Sequence, residues 1–365
     1  MPMAVSADGT IVVGYSQTAN REYHAFRWTL QSGIQPLGNP FGSIETGAMG
    51  ISADGRVIVG RAVNPDWTYR AFYWTQATGM VDIGGTGYSW AWSANPDGTI
   101  LVGMRFFLAY RWQWTGSAYV GTYVGDLGGG RGFANALTPN GQVIVGWSAN
   151  RANQERAFRW VAGHGMEELG TLGGSSSTAW DVSADGSVVV GWAMNAAGNL
   201  RPYRWSADTR QMIDLGDFGG TLGEARAVTA DGRAVVGGTS AVGNAARAFI
   251  WTTTRGLQDL NVLYTSVIPP NSVLWKAMDI SPDGRYIVGE GYNAERGHPD
   301  GFWLDTWRTG DTNGDGCIDD TDLLAVLFAF GTGGSGYTRH EDINKDGIVD
   351  DSDLLTVLFS FGQGC

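Results

Sequence analysis

Up to residue 306 the apolar positions never recur with helical spacing; they come in short β-branched runs, each entered through the same turn. The signature Ser/Thr-x-Asp/Asn-Gly, then a β-branched run and Val-Gly, occurs at Asp8-Gly9, Asp54-Gly55, Asp97-Gly98, Asn140-Gly141, Asp185-Gly186, Asp231-Gly232 and Asp283-Gly284. The third copy carries Asn95 at the first position. Copies are 43 to 52 residues apart, the range of propeller blades and similar arrays. An Asp-Gly or Asn-Gly pair between two extended segments predicts a tight hairpin with both turn residues at positive φ.

Each unit continues with Ala/Pro-Phe/Tyr-x-Trp, at Ala25 to Trp28, Ala71 to Trp74, Ala109 to Trp112, Ala157 to Trp160, Pro202 to Trp205 and Ala248 to Trp251; the seventh departs, reading Gly301 to Leu304. A further strand ends in Leu/Ile-Gly at Leu37, Ile83, Leu127, Leu169 and Leu215, with Leu260-Asn261 a degenerate sixth copy. Four short strands per unit predict a mainly β fold, a seven-bladed β-propeller over residues 1–306. The recurring Ser-Ala-Asp-Gly, Val-Val-Gly, Ala-Phe-Arg-Trp and Gly-Met-x-Asp-Leu-Gly-Thr-Leu-Gly-Gly are similar to the HAF-type repeats of bacterial extracellular proteins. That resemblance implies a secreted propeller and little else. WD-repeat and kelch propellers are the nearest alternatives, but the Gly-His and Trp-Asp pair of the former is absent.

The last unit lacks its Leu-Gly strand, and the chain opens at Met1 already inside a strand of the first unit. In closed propellers the opposite terminus commonly supplies a missing strand, which removes the exposed edge. We therefore expect Met1 to be an internal or mis-assigned start, or the chain to be truncated, with a signal peptide and a strand resembling the Gly-Met-x-Asp-Leu-Gly segment encoded upstream.

The pattern changes after a short linker, 307–310. Residues 311–365 hold two twelve-residue stretches, Asp311-Thr-Asn313-Gly-Asp315-Gly316-Cys-Ile-Asp319-Asp-Thr-Asp322 and Asp342-Ile-Asn344-Lys-Asp346-Gly347-Ile-Val-Asp350-Asp-Ser-Asp353. Side-chain oxygens at positions 1, 3, 5, 9 and 12, with Gly at 6, suit a tightly turning loop around calcium. Position 7 would add the carbonyls of Cys317 and Ile348, giving two ions in all. No helix can precede either loop. Each is followed by one apolar run, Leu323 to Phe330 and Leu354 to Phe361, ended by Gly331 and Gly362.

Loop, helix, linker, loop, helix resembles the dockerin module of secreted polysaccharide-degrading systems. The resemblance implies an extracellular or cell-surface setting, a calcium-folded α-helical module and a cohesin-like partner. Both helical runs are apolar all round, so one side of each needs a cover, either a cohesin-like domain or the chain's own propeller; Phe328 and Phe359 are expected to line that surface.

Charge fits a metal-dependent tail. Residues 308–365 hold eleven acids against three bases, a net −8 of the chain's −12. That acidity, with no Lys/Arg cluster, speaks against nucleic acid, and no apolar run is long enough to span a membrane. The two cysteines, Cys317 and Cys365, fall where a duplicated unit packed about a pseudo-twofold axis would meet. A bridge would stabilise the module by about 4 kcal/mol and imply an oxidising compartment; two free thiols in a reducing cell are the alternative.

On the propeller, a basic residue precedes the Ala/Pro-Phe/Tyr-x-Trp motif at His24, Arg70, Arg156, Arg201 and Arg247. These form either a ring for anionic glycans or, as the weightier reading, pairs with neighbouring acids such as Asp82, Asp126, Glu168, Asp214 and Asp259. The four His show no metal spacing and no nucleophilic-hydrolase motif is present, although 36 acids leave room for a carboxylate pair. The favoured function is a secreted non-catalytic protein whose propeller binds a glycan or protein. The alternative is a glycoside hydrolase or lyase carried on a dockerin, betrayed by converging acids at the propeller's mouth.

Overall fold

The computed structural model describes all residues except 86, 308, 315–316, 334–339, 344–347 and 364–365. Among the described residues seven antiparallel sheets follow one another, six of four strands and one of three. Each innermost strand packs on the next, and Val273–Ile280 of the last sheet returns to Pro2–Val5 of the first. The sheets thereby close into a seven-bladed β-propeller. Blade 4 illustrates the order: Gly128–Leu137 innermost, then Val143–Asn150, Glu155–Val161 and Gly165–Glu168 at the rim.

The hairpin turns differ from the expected form. Only the glycine takes positive φ (71° at Gly9, 66° at Gly141), and the Asp or Asn before it does not. The loop is longer than two residues because side chains organise it. Asp8 Oδ1 accepts from Thr10 N and Ser6 Oγ, while Ser6 Oγ accepts from Ile11 N at 3.0 Å. In blade 3 the Asn95 Oδ1 accepts from Ile100 N at 2.7 Å, so the apparent exception performs the same task.

The Gly of Val-Val-Gly has a different cause. A bulge in each inner strand, such as that between Ala134 and Ala136, pushes a carbonyl over the second strand. A Cβ on Gly146 would stand 1.9 Å from the Phe133 oxygen, and one on Gly60 2.0 Å from that of Gly47. Only glycine fits.

The core lies between blades rather than within them. Leu169 of blade 4 and Met212 of blade 5 share one cluster with Val189 and Tyr203; Leu215 of blade 5 and Leu257 of blade 6 share the next with Val235 and Phe249. One expected register fails in blade 3. Its rim strand is Tyr119–Tyr123 and Val124 N donates to the Ala109 carbonyl, the role Leu169 N plays towards Ala157 in blade 4. Leu127 instead leads into blade 4, so the Leu-Gly match there belonged to the next unit. Blade 7 has Val273–Ile280, Tyr286–Asn293 and His298–Asp305, and no fourth strand among the described residues. A helical turn, Leu260–Leu263, follows the blade 6 rim.

The C-terminal helices span Asp320–Ala329 and Asp351–Ser360, starting three residues before the predicted apolar runs. Capping explains the difference. Asp319 and Asp350 are N-caps, and Asp322 and Asp353 return a hydrogen bond to the cap backbone. Val326, Val357, Ile318 and Val349 form the small core between the helices.

Candidate functional site

At the rim of the blades, four of the five basic residues singled out in the sequence meet acids of the adjoining strand. Arg70 pairs with Asp82 at 2.7 Å, Arg156 with Glu168 at 2.9 Å, Arg201 with Asp214 at 2.9 Å and Arg247 with Asp259 at 3.5 Å. His24 contacts Glu22 at 3.3 Å. Asp126 has no such partner and accepts from the Tyr123 hydroxyl.

The centre of the ring holds residues that the sequence reading passed over. Five positions before each turn Asp or Asn stand Met3, Met49, Trp92, Asn135, Trp180, Arg226 and Met278. Met3, Met49 and Met278 pack together against Trp92. Trp92 stacks on Trp180 at 5.8 Å, and the Arg226 guanidinium lies 4.1 Å from the Trp180 ring. The axis is therefore plugged by side chains. Beside this plug a groove of about 380 Å³ is lined by Trp192, Glu224, Gly238, Ser240, Trp275 and Lys276. Gly238 leaves the space that Lys276 occupies. Burial alone would push the Glu224 carboxyl up, but Lys276 at 2.6 Å and Arg226 at 3.5 Å outweigh it and hold the group below the ordinary range. The signal for this ring was a strand position whose residue type changes from blade to blade while its neighbours stay fixed.

Two further acids of the inner strands, Asp181 and Asp279, are half-buried and face the same pocket. Asp279 accepts from Val5 N at 2.9 Å and from Ile280 N, tying blade 7 to blade 1; Asp181 likewise ties blade 5 to Val228 of blade 6. Desolvation pushes the Asp279 carboxyl up to about 7 and that of Asp181 to about 6.

In the C-terminal module the first and last positions of both loops, Asp311, Asp322, Asp342 and Asp353, are buried. Asp322 Oδ1 accepts from Thr312 N at 2.7 Å and its Oδ2 from Asp319 N; Asp353 repeats this with Ile343 N and Asp350 N. Asp311 Oδ1 accepts from Gly314 N, and Asn313 Nδ2 donates to Thr321 Oγ1. Hydrogen bonds from the Thr321 side chain and backbone lower the Asp319 carboxyl. Among the remaining expected ligands, Asp315, Asn344 and Asp346 lie outside the described residues. Buried carboxylates with hard oxygen donors at these spacings fit a calcium ion, which would offset the cost of their burial.

The two halves lock symmetrically. Ile318 N donates to Gln363 O and Gly362 N to Ile318 O, while Gly331 N donates to Val349 O and Val349 N to Thr332 O. Cys317, beside the first of these pairs, is disulfide-bonded; Cys365 lies outside the described residues. The opposite helix faces stay open. Phe328 is 86% exposed and Phe359 84%, flanked by Leu324, Leu327, Leu355 and Leu358 at about half exposure.

Residues 309–358 match the Dockerin type I domain. Dockerin type I domains bind calcium, and their general kind of partner is the cohesin. No curated protein matches the chain. Among solved structures, the chain is similar to the β-propeller domain of the trilobed protease from Pyrococcus furiosus, described as having an open velcro topology, with 14% identity, TM-score 0.58, and 84% of this chain and 94% of that one covered. It is also similar to the Cps50 (Swd1) β-propeller domain from Myceliophteria thermophila, at 12% identity and TM-score 0.51, covering 82% and 95%. At these identities the likeness concerns the fold alone.

Among the described residues, the dockerin module meets the propeller through the linker residue Trp307 and through His340, just ahead of the second loop. Trp307 lies between Arg285, 5.0 Å from its ring, and His340, edge-on at 4.6 Å. His340 Nε2 is 3.5 Å from Asp283 in the blade 7 turn, and Arg285 is itself held by both Asp305 oxygens. Gly314 lies flat on the indole, where a Cβ would come within 2.3 Å. Among the described residues no helix is long and apolar enough to cross a membrane.

Proposed function

We propose that this is a secreted, non-catalytic binding protein that attaches through its dockerin module to a cohesin-like domain. Two calcium ions order the module. The first is held by Asp311, Asn313, Asp315, the Cys317 carbonyl, Asp319 and Asp322, and the second by Asp342, Asn344, Asp346, the Ile348 carbonyl, Asp350 and Asp353. A Cys317–Cys365 bridge clasps the two ends. The observation that carries the reading is the duplicated apolar face, with Phe328 and Phe359 in equivalent places and both open. Either copy can offer the same surface after a half-turn of the module.

The propeller supplies ligand recognition at the groove beside its plug. Trp192 and Trp275 next to the Glu224–Lys276 pair suit a glycan, whose rings stack on aromatic faces while hydroxyls bond charged groups. Glycoside hydrolysis needs two carboxylates converging on one bond; Glu224 is matched by two cations, which favours binding over hydrolysis. The test of docking is titration of cohesin domains in excess calcium. Phe328→Asp with Phe359→Asp should retain calcium and lose cohesin affinity by about 100-fold, whereas either single change should have little effect. Undiminished binding by the double variant would refute the reading.

A further inference from the structure

The arginines that the sequence pointed to are neutralised by rim acids, but two others are not. Arg61 of blade 2 and Arg105 of blade 3 form no ion pair among the described residues, and the buried Nε of Arg105 has no hydrogen-bond partner. Both reach into the seam between these blades, from opposite sides. The Arg61 guanidinium lies 4.4 Å from the Trp90 ring and 5.7 Å from that of Tyr69. That of Arg105 lies 5.1 Å from the Phe106 ring, with one nitrogen 3.8 Å from where a Cβ on Gly85 would stand. Ring faces attract these cations but accept none of the hydrogen bonds that the guanidinium edge can donate.

The neighbouring hairpin is equally out of pattern. Two places after the Gly of the second strand, six blades carry a small residue (Ser16, Ala62, Ser148, Ala193, Thr239 and Gly291), and blade 3 carries Arg105. The turn that follows is cut to two residues, Phe106 and Phe107, with φ of 51° and 63°, where Asn-Gly would be at ease. Side chains with a Cβ are strained there. Yet the two rings are 52% and 57% exposed, so packing alone does not account for them. From this tip a track of rings runs inward: Phe107 lies 5.2 Å from Tyr88, Tyr88 5.8 Å from Tyr69, and Tyr69 5.1 Å from Trp90. Trp90 holds the place in blade 3 that Glu224 and Lys276 hold in blades 6 and 7, seven residues before the turn Asp. The seam and the groove beside the plug therefore open on one face of the propeller.

We propose that the seam of blades 2 and 3 is a binding site for an acidic glycan, with sugar rings on Phe106, Phe107 and Tyr88 and carboxylates on Arg61 and Arg105. It rests on the reading of the propeller as a glycan binder and adds the charge of the ligand. A carboxylate accepts two parallel N–H bonds from one guanidinium. The chain as a whole carries −12 and repels anions, so these two unpaired groups decide whether such a ligand stays.

The test measures, by fluorescence anisotropy, the binding of a labelled galacturonate trimer and of its uncharged methyl ester to the full chain at fixed calcium. The acid should bind about tenfold more tightly than the ester, and Arg61→Gln with Arg105→Gln should abolish that preference. Phe106→Asn with Phe107→Gly gives the turn the residues it favours. That variant should keep its circular dichroism spectrum and bind both trimers about fivefold more weakly. Equal binding of acid and ester by the wild-type chain, or a preference that survives the double arginine change, would overturn the proposal. So would a triglutamate peptide that binds as tightly as the acid trimer, since the ligand would then be an acidic peptide. Trp275→Ala tells the two sites apart: if only the groove reading fails, it changes neither trimer and the arginine-dependent preference remains. If only the seam reading fails, it weakens both trimers and no preference for the acid exists. Absence of binding by either trimer would overturn both.

Discussion

Asp279 joins blade 7 to blade 1 with a carboxyl that resists ionisation, so the closed ring should weaken as pH rises. Its value is pushed to about 7 from an ordinary 3.8. Burial is the main cause; the N–H of Val5 acts against it, and the charge of Asp181 adds to it. A carboxyl that binds its proton more tightly when folded contributes most below its unfolded value, and that stability is lost as pH climbs through the folded one. Of about 4 kcal/mol in total, about 2.6 kcal/mol should disappear between pH 5 and pH 8. Asp279→Asn removes the titration and keeps one acceptor for Val5 N, while presenting an amide to Ile280 N at a cost of about 1–2 kcal/mol. By pH 5 wild type has already lost about 1.7 kcal/mol of the total, so the variant should be close to wild type there and more stable by about 2–3 kcal/mol at pH 8. Urea unfolding in excess calcium, followed by tryptophan fluorescence at several pH values, measures the difference directly. Parallel pH profiles for the two proteins would show that Asp279 does not titrate in this range and refute the argument.

Calorimetric titration of the metal-free chain should find two calcium ions; chelator should remove the helical signal of the dockerin module, and Asp311→Ala with Asp342→Ala should abolish uptake. Gly146→Ala forces a methyl group against the Phe133 carbonyl at 1.9 Å, so it should cost about 3 kcal/mol or more or prevent folding, far beyond ordinary strand propensity; a loss under 1 kcal/mol would contradict the close approach.

The propeller was legible in the sequence because its repeated residues answer demands of the backbone. Ser6, Asp8 and Gly9 build a turn, and Gly14 lies beneath a bulge carbonyl, so these requirements recur unchanged in each blade. Blade 3 was misread at Leu127 because its own rim strand ends in Val124, leaving the next Leu-Gly as a false match. The helix starts at Asp320 and Asp351 were hidden for another reason: residues read only as loop ligands also serve as cap and first turn. Met3, Trp92, Trp180 and Arg226 escaped notice because nothing local marks them. Their common property is depth on the ring axis, which exists only once seven sheets have closed.

The indole of Trp307, gripped between Arg285 and His340, constrains an angle as well as a distance. A docking module on a loose tether would let the propeller tumble through a wide cone around its anchor. Here the open Phe328 and Phe359 face and the propeller's mouth keep one bearing. On the docking proposed above, a cohesin-like domain that held the helices would therefore also aim the groove, and neighbouring copies along a shared support would point rather than wander. A half-turn of the module would swing that aim to a second direction, giving one chain two headings from a single point of attachment.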